Sequence, residues 1–127
     1  MAKKPTVAKL KKDLDKVFSQ YVRLSHADHN GMCECFTCGA YKHWKEIQAG
    51  HFMSRRHNAT RWHLDNVKPQ CLSCNMFNQG RQYRFGQNLG EDLAKEMEYL
   101  SNTTMKLNVI DLQEEIARYK KLLAELT

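Results

Sequence analysis

Two pairs of cysteines, Cys35-Phe36-Thr37-Cys38 and Cys71-Leu72-Ser73-Cys74, limit what this chain can fold into more than any other feature. Four thiolates arranged as two C-x-x-C pairs match the number and type of ligand that a closed tetrahedral structural Zn²⁺ takes. Thirty-two residues separate Cys38 from Cys71, enough for a hairpin and a loop before the chain returns to the metal. A knuckle followed much later by a C-x-x-C at the start of a helix is the treble-clef or ββα-metal arrangement, in which the helix N-terminus also stabilises thiolate. The competing readings, a redox dithiol or a disulfide pair, suit two pairs in a reducing compartment less well. Cys33, the fifth thiol, stands two residues before the first pair. The tighter spacing favours Cys35 as the ligand and leaves Cys33 as a buried or spare thiol.

The length, 127 residues, suits one domain with a modest core. No stretch reads as a secretory signal or as long and apolar enough to cross a bilayer, so the expected location is the cytoplasm. The net charge of +6 is unevenly placed. Residues 1 to 88 carry 15 Lys and Arg against 6 Asp and Glu, whereas residues 89 to 127 carry 5 against 8. A basic front of this kind is the electrostatic footprint of a nucleic-acid binder, although ordinary solubility charge also produces lysine excess.

The fold expected is α+β, with a small zinc-bound core at 32 to 88 flanked by an N-terminal helix at 6 to 24 and C-terminal helices within 91 to 126, all one domain over 1 to 127. Leu10, Leu14, Val17, Tyr21 and Leu24 alternate at spacings of four and three, which predicts an amphipathic helix with a basic outer face and Thr6 as N-cap. Asn30-Gly31 marks a turn. Residues 41 to 52 read as one or two short strands, 53 to 65 as loop, and Val67-Lys68-Pro69 as a brief extended segment. A short helix over 71 to about 79 is expected to end at Gly80, and a further helix over 91 to 100 carries Leu93, Met97 and Leu100 on one face. Val109, Leu112, Ile116, Tyr119, Leu123 and Leu126 form a seam of under three heptads, opened by a capping box at Asp111 and Glu114. That seam suits packing on the chain's own helices and homodimerisation equally.

Between and beyond the cysteine pairs stand polar residues with chemical potential. His51 follows Gly50, which permits a backbone to approach closely, as it must if substrate is to reach the adjacent side chain, and a neutral imidazole there could take a proton from water. A solitary histidine would more simply pack or hydrogen-bond. Asn75 lies one helical turn beyond Cys71, where its amide oxygen suits a hard cation such as Mg²⁺. Asn66 is placed to hydrogen-bond across a hairpin and hold the His51 strand in register. Arg55, Arg56 and Arg61 follow His51, and Arg81 and Arg84 alternate with Tyr83 and Phe85. Guanidinium groups bind phosphate and aromatics stack on bases, giving affinity without sequence reading. Lys9 and Lys12 on the first helix extend the basic face, and any one of these cations is equally a solvated surface residue.

His51, Asn66 and Asn75 stand in the order of the HNH endonuclease motif in its H-N-N form. More narrowly, Cys-x-x-Cys-Gly at 35 to 39, His43-Trp44-Lys45-Glu46, Ala49-Gly50-His51-Phe52, Arg55-Arg56, Thr60-Arg61, Asn66-Val67, Pro69-Gln70-Cys71 and Cys74-Asn75 resemble the phage lambda NinG and Rap recombination endonucleases. The likeness covers roughly residues 15 to 90. It implies an HNH-type endonuclease acting on branched DNA such as Holliday junctions and D-loops, with His51 as general base, Asn75 as ligand of a catalytic Mg²⁺ or Mn²⁺, and Asn66 fixing the hairpin. Many HNH proteins carry Asp or His where this chain has Gly50. Strand periodicity puts Gln48 and Glu46 on the face of Gly50, and Glu46 is the carboxylate expected to complete the cation site.

The function expected is therefore metal-dependent hydrolysis of branched DNA, with structural Zn²⁺ at Cys35, Cys38, Cys71 and Cys74. DNA is the partner, with no membrane and no small-molecule substrate, and a homodimer is expected because symmetric resolution of a four-way junction takes two nicks. The rival of another class is a non-catalytic zinc-finger protein that binds DNA as a recombination accessory factor.

Overall fold

The computed structural model describes residues 4 to 126; the extreme ends of the 1 to 127 span, residues 1 to 3 and 127, lie outside the described residues. Helix α1 (Val7–Ser25) begins where Thr6 Oγ1 accepts the Lys9 N–H at 3.1 Å, satisfying one of the donors that a helix start leaves unpaired. Its buried stripe is Leu10, Leu14, Val17, Phe18 and Val22. Phe18 and Val22 thus take the central places that spacing alone assigned to Tyr21 and Leu24, which lie only partly buried beside them.

Helix α5 (Val109–Glu125) crosses the chain to pack on α1. Leu112, Ile116 and Tyr119 join the α1 stripe and Val67 in one core cluster, with the Phe18 and Tyr119 rings edge to face at 5.0 Å. The seam is therefore spent within the chain, leaving Ile110 and Leu126 exposed at its ends. The capping box lies one turn earlier than expected. Asn108 Oδ1 accepts from Asp111 N and Asp111 Oδ2 accepts from Asn108 N, because the helix starts at Val109 and Asp111 is its third residue.

The metal module consists of two small antiparallel hairpins. Strand β1 (Met32–Glu34) pairs with β2 (Tyr41–His43), with Cys33 opposite Lys42. Strand β3 (Gln48–His51) pairs with β4 (Val67–Gln70), with Gln48 opposite Gln70 and His51 opposite Val67. The two strands expected within 41 to 52 thus belong to different sheets, and β1 had no distinct sequence signal. Between β3 and β4, where loop was expected, a four-residue helix α2 (Asn58–Arg61) forms.

After Cys71 the backbone takes a π-helical turn (Ser73–Phe77), a 3₁₀ turn (Gln79–Arg81), then helix α3 (Gln82–Leu89) and helix α4 (Glu91–Ser101). The first turn ends at Phe77 with Asn78 as its cap, ahead of the expected Gly80, which lies inside the 3₁₀ turn at φ 75°; its neighbours Gln79 and Arg81 are also left-handed, at 52° and 45°. Helix α3 was missed by periodicity. Its anchor is Phe85, fully buried between Phe36 at 4.9 Å and Phe52 at 5.7 Å. No helix among the described residues is long and apolar enough to cross a membrane.

Candidate zinc centre and cleft

The first knuckle is a tight turn off the β1–β2 hairpin, closed by Cys35 N to Ala40 O at 2.8 Å and Gly39 N to Cys35 O at 2.9 Å. Phe36 N donates to Pro69 O at 2.8 Å, which ties that turn to β4 and so to Cys71 just beyond it. The sulfurs of Cys35, Cys38, Cys71 and Cys74 end within 4.8 Å of one another, and Cys38 Sγ lies 3.7 Å from Cys71 Sγ. Tetrahedral Zn²⁺ with bonds of about 2.3 Å spaces its sulfurs about 3.8 Å apart, so the cluster fits that ion.

The thiols' own chemistry also calls for a cation. Burial raises the Cys35 thiol, but the Thr37 hydroxyl and N–H donors from Cys71, Cys38 and Thr37 outweigh it and hold it down at about 6. An N–H from Ala40 favours the Cys38 thiolate, yet burial and the three neighbouring sulfurs push it up to about 12. Burial likewise raises Cys71. Four packed sulfurs do not all ionise side by side, and a divalent ion removes that conflict. Cys33 stands apart, fully buried, its thiol donating to Arg23 O at 3.0 Å.

A cleft of about 710 Å³ opens beside this frame, lined by residues of α1, β3, the following loop and the π-helical turn. His51 and Asn75 both line it, brought together from β3 and from the turn that the zinc ligands hold. His51 Nε2 lies 2.9 Å from Arg61 O. A carbonyl oxygen only accepts, so Nε2 carries the hydrogen and the Nδ1 lone pair is left free in the neutral ring. Burial lowers the imidazole pKa most, the Arg61 carbonyl opposes this, and the Arg55 charge lowers it further.

Asn75 Nδ2 donates to Gln48 Oε1 at 2.7 Å, which leaves Asn75 Oδ1 as the free acceptor. Asn66 is fully buried behind them. Its side chain accepts from Met53 N at 2.8 Å and donates to Met53 O and Thr60 O, both at 3.0 Å. Its carbonyl takes Phe52 N at 2.8 Å, so Asn66 pins the chain on leaving β3 as well as the hairpin end.

Other expectations fare differently. Glu46 is exposed in the turn before β3, its N–H bonded to His43 O at 2.8 Å, and it does not line the cleft. Gln48, on the strand itself, reaches Asn75 instead. Gly50 serves another purpose than substrate approach: a Cβ there would lie 1.8 Å from Gln70 Oε1, so the buried Gln70 side chain occupies the space. Gln70 Nε2 in turn donates to Thr37 Oγ1 at 3.1 Å and Gly80 O at 2.8 Å, joining knuckle, strand and 3₁₀ turn.

Arg61 is not a free phosphate ligand. Its side chain is only 16% exposed and binds Asp15 through Nε at 3.0 Å and Nη2 at 2.6 Å. Trp62 Nε1 adds a third bond to Asp15 at 3.0 Å. Arg55 remains largely exposed at the cleft mouth, 4.0 Å from Asp15, and Arg56, Arg81, Arg84 and Lys12 are exposed. Lys9 is exposed but paired with Asp13 at 2.7 Å. Lys12 lies one turn before Asp15 on α1 but does not line the cleft. Lys45 also lines the cleft and was overlooked, as was Gln48's bond to Asn75.

Among the described residues Asp15 is the one carboxylate lining the cleft, and both of its oxygens accept hydrogen bonds. The remaining donors, Asn75 Oδ1 with Gln48 beside it, fit a hard cation that keeps most of its water and takes further oxygens from a phosphate. They do not make a stand-alone cage.

No curated protein and no solved structure matches the chain. The family described as bacteriophage lambda NinG protein matches residues 1 to 127. With its four-cysteine frame between terminal helices, the chain belongs to the phage lambda NinG family.

Proposed function

We propose that this protein is a metal-dependent DNA endonuclease of phage recombination, hydrolysing phosphodiesters in branched DNA such as Holliday junctions and D-loops. Family membership supports the recombination setting. The observation that carries the catalytic reading is the tautomer of His51, whose hydrogen is committed to Arg61 O and whose Nδ1 is free in a cleft shared with Asn75. Burial favours the neutral ring, the form a general base needs.

In this reaction His51 Nδ1 takes a proton from water as the water oxygen bonds to phosphorus and the bond to the 3′ oxygen breaks. The departing 3′ oxygen takes a proton from solvent water and His51 returns its own to solvent, so the products are a 5′ phosphate and a 3′ hydroxyl. Asn75 Oδ1, with phosphate oxygens of the DNA, would hold a Mg²⁺ or Mn²⁺ ion, which when bound offsets charge on the departing oxygen. Arg55, Arg56 and Lys45 hold the strand at the mouth, and zinc keeps the π-helical turn opposite β3. Two nicks per junction call for two copies, and because the α5 seam is turned onto α1, the contact lies on another face; light scattering that gives a monomer at working concentration removes this part.

The test is a panel of Holliday junction, flap, duplex and single-stranded DNA with Mg²⁺ or Mn²⁺. The expected result is divalent-dependent cleavage of branched substrates, reduced about 10²-fold or more in His51→Ala with zinc content unchanged. Equal rates for parent and variant would overturn the role of His51. Binding of branched DNA with no cleavage of any substrate would leave the accessory DNA-binding protein as the better description.

A further inference from the structure

Immediately after Asn75 the chain turns two large apolar side chains outward, Met76 at 61% and Phe77 at 76% exposed, and Tyr83 on α3 follows at 83%. Met76 lines the cleft, as do Gln79, Gly80 and Gln82, and Phe77 and Tyr83 each stand next in sequence to one of these lining residues. Their exposure is not a by-product of a small core. Phe85 lies two residues after Tyr83, about 200° around the helix, and is completely buried with Phe36 and Phe52. The aromatic cluster nearby is complete without Phe77 or Tyr83.

The segment is also held in an unusual backbone state. Three successive residues, Gln79, Gly80 and Arg81, have positive φ, and two of them are not glycine. Left-handed backbone at a residue with a side chain costs about 1 kcal/mol or more, and such strain gathers at functional sites. Here it joins the π-helical turn that presents Met76 and Phe77 to the helix that presents Tyr83.

Charge selects the partner. From residue 66 through residue 90 there is no Asp or Glu, while Lys68, Arg81 and Arg84 are present. Exposed aromatic faces among exposed arginines, with no carboxylate in the segment, match nucleic acid whose bases are unstacked, since bases stack on aromatics while arginines take the phosphates. A continuous duplex offers only the phosphates.

We infer that Phe77 and Tyr83, beside the cleft-lining Met76 and Gln82 in the chain, form a stacking platform for unpaired nucleobases, which distinguishes DNA at branch points and gaps from continuous duplex. This rests on the nucleic-acid reading above but not on catalysis. It assigns the structural preference to residues that touch neither His51 nor the zinc ligands' sulfurs in any recorded bond.

The test measures binding by the full zinc-loaded chain without added divalent cation, so it is separate from cleavage. The probes are a gapped duplex with 2-aminopurine at the unpaired position and a continuous duplex with the same base paired. The parent is expected to change 2-aminopurine fluorescence only in the gapped probe. Phe77→Ala and Tyr83→Ala should each weaken gapped-DNA binding about fivefold or more while duplex affinity stays within about twofold. Phe77→Trp should restore binding, with its indole emission quenched by the gapped probe. An unchanged ratio of gapped to duplex affinity in both alanine variants overturns the inference, and so does that result accompanied by conversion of a dimer to a monomer. If the binding ratios are as expected but the parent cleaves no substrate once Mg²⁺ or Mn²⁺ is added, the nuclease reading alone fails.

Discussion

Asn75 and Gln48 are joined by a 2.7 Å hydrogen bond, Nδ2 to Oε1, that bridges the π-helical turn and strand β3. The bond decides which end of the Asn75 amide is available. On the nuclease reading, Gln48→Leu frees that amide to rotate, and the divalent-ion concentration for half-maximal cleavage should rise several-fold, about the worth of one hydrogen bond. Gln48→Glu keeps an acceptor and adds negative charge, so it should lower that concentration instead. Metal titrations in which both variants match the parent would remove Gln48 from the site.

The zinc prediction separates the cysteines. The purified chain should carry one zinc, and Cys71→Ser or strong chelation should abolish the cooperative melt, because a structural site's binding energy is folding energy. Cys33→Ser should keep full zinc content, since the Cys33 thiol donates to Arg23 O and stands outside the four-cysteine cluster. Elemental analysis of the two variants decides this.

Gly50 and Gln70 form a test of packing. Gly50→Ala puts a methyl group within 1.8 Å of Gln70 Oε1 and should destabilise by about 1 to 3 kcal/mol. In a Gln70→Ala background the same change should cost below about 0.5 kcal/mol, because the obstructing side chain is gone. Denaturant melts of the four proteins measure the coupling, and additive costs would contradict the overlap.

Arg61 should behave as a structural residue and Arg55 as a surface cation. Arg61→Ala leaves Asp15 without its bidentate partner in a largely enclosed setting, and a loss of about 2 kcal/mol is expected. Arg55→Ala should leave the melt within about 0.5 kcal/mol and reduce the salt dependence of DNA binding. Reversed effects in thermal melts and salt titrations would show that the two roles were exchanged.

The pH dependence follows from burial of His51. Its folded-state pKa is below the ordinary 6.5, so folding favours the neutral ring. Its stabilising effect is complete above 6.5 and is lost as pH falls through the folded value, since protons bind the unfolded chain more readily. The acid limb of cleavage should therefore have its midpoint below 6.5, and His51→Gln should flatten that limb. A midpoint above 6.5 would show a different titrating group.

The local patterns carried much of the fold. Apolar spacings of three and four specified α1, α4 and α5, and the C-x-x-C spacing specified four sulfurs that do converge. Asn66 and Asn75 were legible because each sits next to a fixed element, β4 or the last cysteine. What periodicity did not carry was pairing over long separations. Arg61 and Phe85 looked like DNA contacts until Asp15, far away in α1, enclosed the first and Phe36 and Phe52 the second. Glu46 and Gln48 share a strand-like spacing, but the turn ends between them and only Gln48 reaches the cleft.

By itself, then, the amino-acid order determined helices α1, α4 and α5, the four-cysteine set and the family, because these rest on local spacing and motif. The tertiary structure decided which polar groups are spent on one another and which remain free. A hydrogen bond or ion pair is settled by where two distant backbones meet, as with Gly50 under Gln70, His51 against Arg61, and Asn75 across from Gln48. The π-helical register after Cys71 had the same character: it set the direction of Met76 and Phe77, and no local pattern encodes that turn.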